Sequence, residues 1–142
     1  MAWFEANRLR LQQWFTVDSL DYLYHGGRVS RTSAALGTML NIKPVMDVDP
    51  AGKLRVVSKV RARKRSLQAL ADKVVAALPS DPKQPVLIGT SGDTAAAEET
   101  KKMILAKAPD ANITLGDIGL TIASHTGFGC VAAFVMGAAD RK

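Results

Sequence analysis

TVDSLDYLYHGGRVSRTSAALGTMLNIKP, residues 16–44, predicts a helix, a glycine turn, an arginine, a second helix and an apolar strand. Leu20, Leu23 and Tyr24 fall at i, i+3 and i+4, which gives a short helix one apolar face. Thr16 suits a cap for its first turn, and Asp18 suits the positive end of the helix dipole. Gly26-Gly27 ends it, because glycine enters the left-handed region at a helix C-terminus without steric cost. Ser30 or Ser33 can cap the next helix, whose apolar face is Ala34, Ala35, Leu36, Met39 and Leu40. Arg28 therefore stands at a corner between two helices, where glycines let the backbone approach a partner. The same spacing also suits a plain surface arginine in a helix–turn–helix connection.

On the C-terminal side, Ile42–Val48 and Leu54–Val60 read as strands, and Asp49-Pro50-Ala51-Gly52 between them makes a hairpin. Arg61–Leu78 predicts a long helix with Leu67, Leu70, Val74 and Leu78 on one face, closed by Pro79 and Pro82. Pro85–Thr90 is a short buried strand. Asp93 then caps a helix that runs to about Ala108, and Ile113–Leu115 is extended. Asp117 suits the cap of a short helix toward His125, although Leu120, Ile122 and Ser124 would fit strand alternation equally. Gly129–Met136 is a final apolar strand. On the N-terminal side, Met1–Gln13 reads as a helix with Trp3, Phe4, Leu9 and Leu11 on an imperfect stripe. A hairpin followed by alternating helices and strands predicts an α/β fold, a mixed sheet with packed helices.

Nineteen basic and thirteen acidic side chains give a net charge of +6, which favours an anionic partner without naming it. The single Cys130 forms no internal disulfide and fits a reducing cytoplasm. Ile118–Ala139 has no charged residue and approaches the length of a bilayer span, about 20 residues. Four glycines and the polar centre Ser124-His125-Thr126 make it costly in lipid, so no stable membrane insertion is expected.

Several clusters are candidates for chemistry. His125 lies in Ser-His-Thr-Gly-Phe-Gly, where Gly127 and Gly129 let backbone pass close to a ligand and Ser124 and Thr126 add hydroxyls. A histidine hydrogen-bonded into structure fits the same pattern. Arg61, Arg63, Lys64 and Arg65 form a dense basic run at a helix start, where cations oppose the dipole. Such a run suits a solvated helix end, an acidic protein surface or nucleic acid. Few aromatics and none in the run speak against single-strand stacking, so nucleic acid is the weaker alternative. Gly89-Thr90-Ser91-Gly92-Asp93 sits where a strand meets a helix but lacks a P-loop lysine. A hydrolase using His125 with Ser91 or Ser124 would need a third, orienting group, and none is visible. Two histidines and one cysteine offer no zinc site. No cofactor and no enzymatic activity are expected.

The helix containing Val17-Asp18-Ser19-Leu20, the Gly26-Gly27-Arg28-Val29-Ser30 turn and Leu40-Asn41-Ile42-Lys43-Pro44-Val45 resemble the DegV family of bacterial fatty-acid-binding proteins. Gly52-Lys53-Leu54, the segment from Lys59 to Lys64, and Ser124-His125-Thr126-Gly127-Phe128-Gly129 extend the resemblance in order. It implies a DegV C-terminal-domain-like fold over residues 15–142, preceded by a connecting helix over residues 1–14. The family's N-terminal domain, which carries the serine and threonine that hold the fatty-acid carboxylate directly, has no equivalent in this chain. The resemblance also implies a lipid-binding role: helping to enclose a long-chain fatty acid and presenting it to a partner fatty-acid kinase. Arg28 and His125 would serve the ligand head with Gly27, Thr126, Gly127 and Gly129, and residues 30–41 would line the tail. Arg61, Arg63, Lys64 and Arg65 would form the kinase docking face, and an uncovered apolar surface would favour a homo-oligomer. Ser124 stands where the family commonly has threonine, and Phe128 where proline is usual.

Overall fold

A computed structural model of the chain describes residues 1–30, 41–79, 81 and 83–142. Helix α1 (Ala2–Asn7) and a 3-10 turn (Arg8–Arg10) lead into strand β1 (Leu11–Thr16), followed by helix α2 (Asp21–His25). A hairpin follows, β2 (Ile42–Val48) and β3 (Leu54–Arg61), then the long helix α3 (Arg63–Ala77). The chain continues through β4 (Pro85–Thr90), α4 (Thr94–Leu105), β5 (Asn112–Asp117), α5 (Leu120–Thr126) and β6 (Val131–Met136). The six strands form one sheet in the order β3-β2-β1-β6-β4-β5. Every pairing is antiparallel except β4–β5, whose parallel neighbours are joined by the crossover helix α4. This is the mixed α/β sheet expected.

Side-chain alternation along the strands divides the core in two. On one face α3 lays Leu67, Leu70, Ala71 and Val74, and α4 lays Ala97 and Ile104, against Val86, Ile88, Val131, Ala133 and Val135. On the other face Phe15, Met46 and Ala132 pack with Val17, Leu20, Leu23 and Cys130. The first layer is closed by two helices. Among the described residues, α2 and α5 lie over the second, beside the cleft described below.

The hairpin turn is built as its residues require. Gly52 takes φ +82°, its N–H bonds the Asp49 carbonyl at 2.9 Å, and the Asp49 carboxylate accepts from the Lys53 N–H at 2.8 Å. Asp93 caps α4 by accepting from the Ala96 N–H at 3.1 Å.

Several expectations need correction. The helix read over Met1–Gln13 ends at Asn7, and Leu11–Thr16 is a central strand between β2 and β6. Residues 11–14 thus belong to the sheet rather than to a connecting helix. Thr16 caps no helix; it is buried in β1 and donates to the Pro44 carbonyl at 2.7 Å. α2 begins later, at Asp21, whose N–H bonds the Ser19 hydroxyl at 3.1 Å. The long helix starts at Arg63, because Arg61 finishes β3 and Ala62 breaks the chain with φ +75°. Asp117 ends β5 instead of capping, and Gly119 precedes α5. The helix read after Ser30, with its face Ala34–Leu40, falls on residues 31–40, outside the described ones, as does Pro82.

Candidate functional site: an apolar cleft beneath two short helices

This second sheet face holds a cleft of about 570 Å³, within the usual range for small-molecule sites. Strand register aligns Gly116, Gly89, Ala132, Phe15, Met46 and Val56 across all six strands, with Leu87, Phe134 and Gln13 as a second row. Ile118, Thr121 and Ile122 overhang from α5 and the loop before it, and Leu54 and Val48 wall the far side. Leu87 is 45% exposed and Ile122 57%, so the apolar lining is open to solvent.

Arg28, His125 and Thr126 line this cleft. Arg28 is placed by the end of α2. The Gly27 N–H bonds the Tyr24 carbonyl at 2.9 Å and the Arg28 N–H bonds the Leu23 carbonyl at 2.8 Å. With Gly27 at φ +71°, this is a Schellman cap. The Arg28 guanidinium donates back to the Gly26 carbonyl. His125 arrives at the same residue from α5: a Cβ on residue 26 would lie 2.3 Å from His125 Nδ1, so the imidazole occupies that space. Two residues 97 positions apart in sequence thus meet at Gly26 beside an apolar cleft.

The remaining expected residues divide. The Thr126 hydroxyl donates to the Ile122 carbonyl at 3.0 Å, and Ser124 donates to Thr121 at 2.8 Å, so both turn back on their own helix. Gly27, Gly127 and Gly129 do not line the cleft and shape backbone instead. Gly127 (φ +74°) has the Tyr22 ring where a side chain would be, and Gly129 takes φ +84°. Ser91 locks the turn between them. Its hydroxyl donates to the Gly127 carbonyl at 2.5 Å and accepts from the Cys130 N–H at 3.0 Å. That bonding commits Ser91 to structure and leaves it unpaired with His125, against the hydrolase arrangement.

Arg63 departs from its expected place on an exposed basic face. Its guanidinium is turned inward, donates to the Gly129 carbonyl and lies 3.8 Å from the Asp93 carboxylate. Burial lowers its pKa from the ordinary value, against the pull of Asp18 and Asp93. Arg61 and Arg65 are exposed, and Lys64 is 81% exposed at its side chain, 3.9 Å from Glu99. The run is therefore not one continuous basic stripe. Among the described residues, no group of His, Cys, Asp and Glu could hold a metal, and no helix is long and apolar enough to cross a membrane.

Cys130 is buried against this turn, and burial pushes its thiol up to about 11, while a hydrogen bond with Thr126 and the Arg63 charge pull the other way. The thiolate fraction, which governs alkylation, should fall about 100-fold relative to a free thiol. Iodoacetamide labelling at pH 8, followed by mass spectrometry, is expected to be slow in the native protein and rapid in guanidinium. Because the folded pKa is raised, the thiol contributes stability below pH 9 that is lost as pH climbs toward 11.

A model of the DegV family, described as that of an uncharacterised protein, matches residues 1–138. The chain belongs to the DegV family. A DegV domain-containing protein of Clostridium perfringens is 40% identical over 136 residues, covering 96% of this chain and 47% of its own length. Among solved structures, a fatty acid binding DegV family protein from Streptococcus agalactiae superposes with a TM-score of 0.84 at 28% identity, over 97% of this chain and 48% of the other. A DegV family protein from Thermus thermophilus, described for its fatty acid binding, gives 0.82 at 27% identity, over 96% of this chain and 49% of the other. The chain spans about half the length of the DegV proteins it matches.

Proposed function

We propose that this chain supplies the C-terminal half of a fatty-acid-binding site and performs no chemistry of its own. The observation that carries the reading is the convergence of Arg28 and His125 on Gly26 beside the apolar cleft. Each methylene buried there contributes about 0.8 kcal/mol, so the tail supplies most of the affinity. A carboxylate loses heavily on burial unless it is paired, and Arg28 gives it a charged donor. Fatty-acid binding by the S. agalactiae and T. thermophilus proteins supports the same ligand class. The partner would be a cytoplasmic fatty-acid kinase docking on Arg61, Lys64 and Arg65. The exposed apolar residues Leu87, Leu120, Ile122 and Phe128 would be covered by the family's other half or by a second copy.

Solvent extraction and mass spectrometry test the ligand. Long-chain fatty acid near one per chain, or uptake of added oleate to that level, is expected; neither retention nor uptake would overturn the reading. The tail lane has its own test at Gly116, which needs no special φ and where, among the described residues, a Cβ meets only Leu87 Cδ1 at 4.0 Å. Gly116→Leu should fold normally and fill part of the cleft. Affinity then falls about fourfold for each methylene excluded, so stearate loses more than laurate in a competition assay.

A further inference from the structure

We infer that Arg63 is a positioning residue for the ligand head rather than part of the exposed basic face: it holds the Gly127–Gly129 turn, and through it His125, in place. The inference rests on the fatty-acid reading above. Arg63 stands where three elements meet. It is the first residue of α3, its guanidinium donates to the Gly129 carbonyl just after α5, and it lies 3.8 Å from Asp93, the cap of α4.

Four separate costs are concentrated on this arrangement. A cation at a helix N-terminus faces the positive end of the dipole. The guanidinium gives up water, and its Nη1 is buried with no hydrogen-bond partner among the described residues. The preceding Ala62 holds φ +75° and ψ 143°, close to a region that side chains other than glycine rarely enter. Ala62 is also tied at 2.9 Å to the carbonyl of Asn41, itself at φ +64°. That strained step from β3 into α3 is what turns residue 63 inward while residues 61, 64 and 65 stay exposed. Local rules broken together at one residue mark positions kept for function over stability.

The turn that Arg63 grips is held by Ser91 from one side and by Arg63 from the other. Ser91 satisfies the Gly127 carbonyl and the N–H groups of Gly129 and Cys130. The Gly129 carbonyl is left to Arg63. Two positive-φ glycines make this segment permissive, so its outside fixings, Ser91 at the Gly127 carbonyl and Arg63 at the Gly129 carbonyl, together set where α5 ends. His125 lies on the last turn of α5, and its place against Gly26 beside Arg28 depends on that end point.

The test compares Arg63→Gln and Arg63→Lys with Lys73→Gln, an exposed cation farther along the same helix. Two quantities are read on the full chain: oleate affinity, and the imidazole ¹H–¹⁵N signals of His125 in lipid-free protein. Arg63→Gln is expected to weaken oleate binding about tenfold and to shift or broaden the His125 signals. Arg63→Lys should recover most of the affinity, because an ammonium still reaches one acceptor. Lys73→Gln should match the parent in both readouts. Parent-like affinity and spectrum in Arg63→Gln would overturn the inference, as would equal losses in Lys73→Gln. If Arg63→Gln does not fold, Arg63→Lys decides: a smaller shift of the same His125 signals supports the inference, and a parent-like spectrum overturns it. If the parent takes up no oleate, the fatty-acid reading fails, and the His125 spectrum alone decides whether Arg63 positions the turn.

Discussion

Arg28→Ala is expected to weaken fatty-acid binding by about 10- to 100-fold while leaving the fold intact. A hydrogen bond to a charged group is worth about 1.5–3 kcal/mol, and tenfold in affinity corresponds to about 1.4 kcal/mol. Arg28 is exposed and its guanidinium bonds only the Gly26 carbonyl among the contacts described, so its removal should cost under about 0.5 kcal/mol of stability. The loss must also depend on the ligand head. Oleate should lose affinity and oleyl alcohol should not, because the proposed tail lane runs over Phe15, Ala132 and Phe134 in the cleft, away from the head group. Titrating both ligands against parent and variant reads this directly. Equal losses for acid and alcohol would place Arg28 in packing instead of carboxylate recognition.

Gly127→Ala should be the most damaging conservative change in the site. Gly127 combines φ +74° with ψ 179°, a conformation that costs a side-chain-bearing residue about 1–3 kcal/mol. The new Cβ would also lie 2.4 Å from the Tyr22 ring. Tyr22 is 54% exposed and can swing outward, but it then leaves the contact between α2 and α5. A melting temperature lower by several degrees is expected for a chain of this size, together with weaker oleate binding as His125 moves from Gly26. Calorimetry and a binding titration on the same sample separate the two effects. A variant that melts lower yet binds oleate as the parent does would show that the turn serves stability alone.

How much of this was legible in the sequence depended on whether local chemistry or tertiary context decided each element. The hairpin turn, the Asp93 cap and the apolar face of α3 follow from local rules, and the structure has them where those rules put them. Leu11–Gln13 of β1 reads as helix because its central place is decided by distant segments, β2 on one side and β6 on the other. Trp14 packs toward α3 and α4 while Phe15 faces the cleft, so no polar alternation marks it. At the site, Gly26-Gly27-Arg28 and the His125 motif stood out by type. By type Gly26 and Gly27 are equivalent, yet Gly26 is the residue that both Arg28 and His125 touch. Only the pairing of α2 with α5 determines that choice. Arg63 looked like its exposed neighbours because charge runs carry no signal of direction. The signal that could have separated it lies in backbone strain at Ala62, a three-dimensional property.

Titration of ¹⁵N-labelled protein with monomeric oleate, followed by amide and arginine side-chain chemical shifts, is the most direct test of the cleft as the fatty-acid site. Changes are expected at Arg28, His125, Phe15, Ala132 and Phe134, saturating together with one affinity. Val75, Leu78 and Ala111, which line a second hollow beyond the α3 and α4 helices, should stay still. No saturable change, or changes confined to that second hollow, would contradict fatty-acid binding in the cleft.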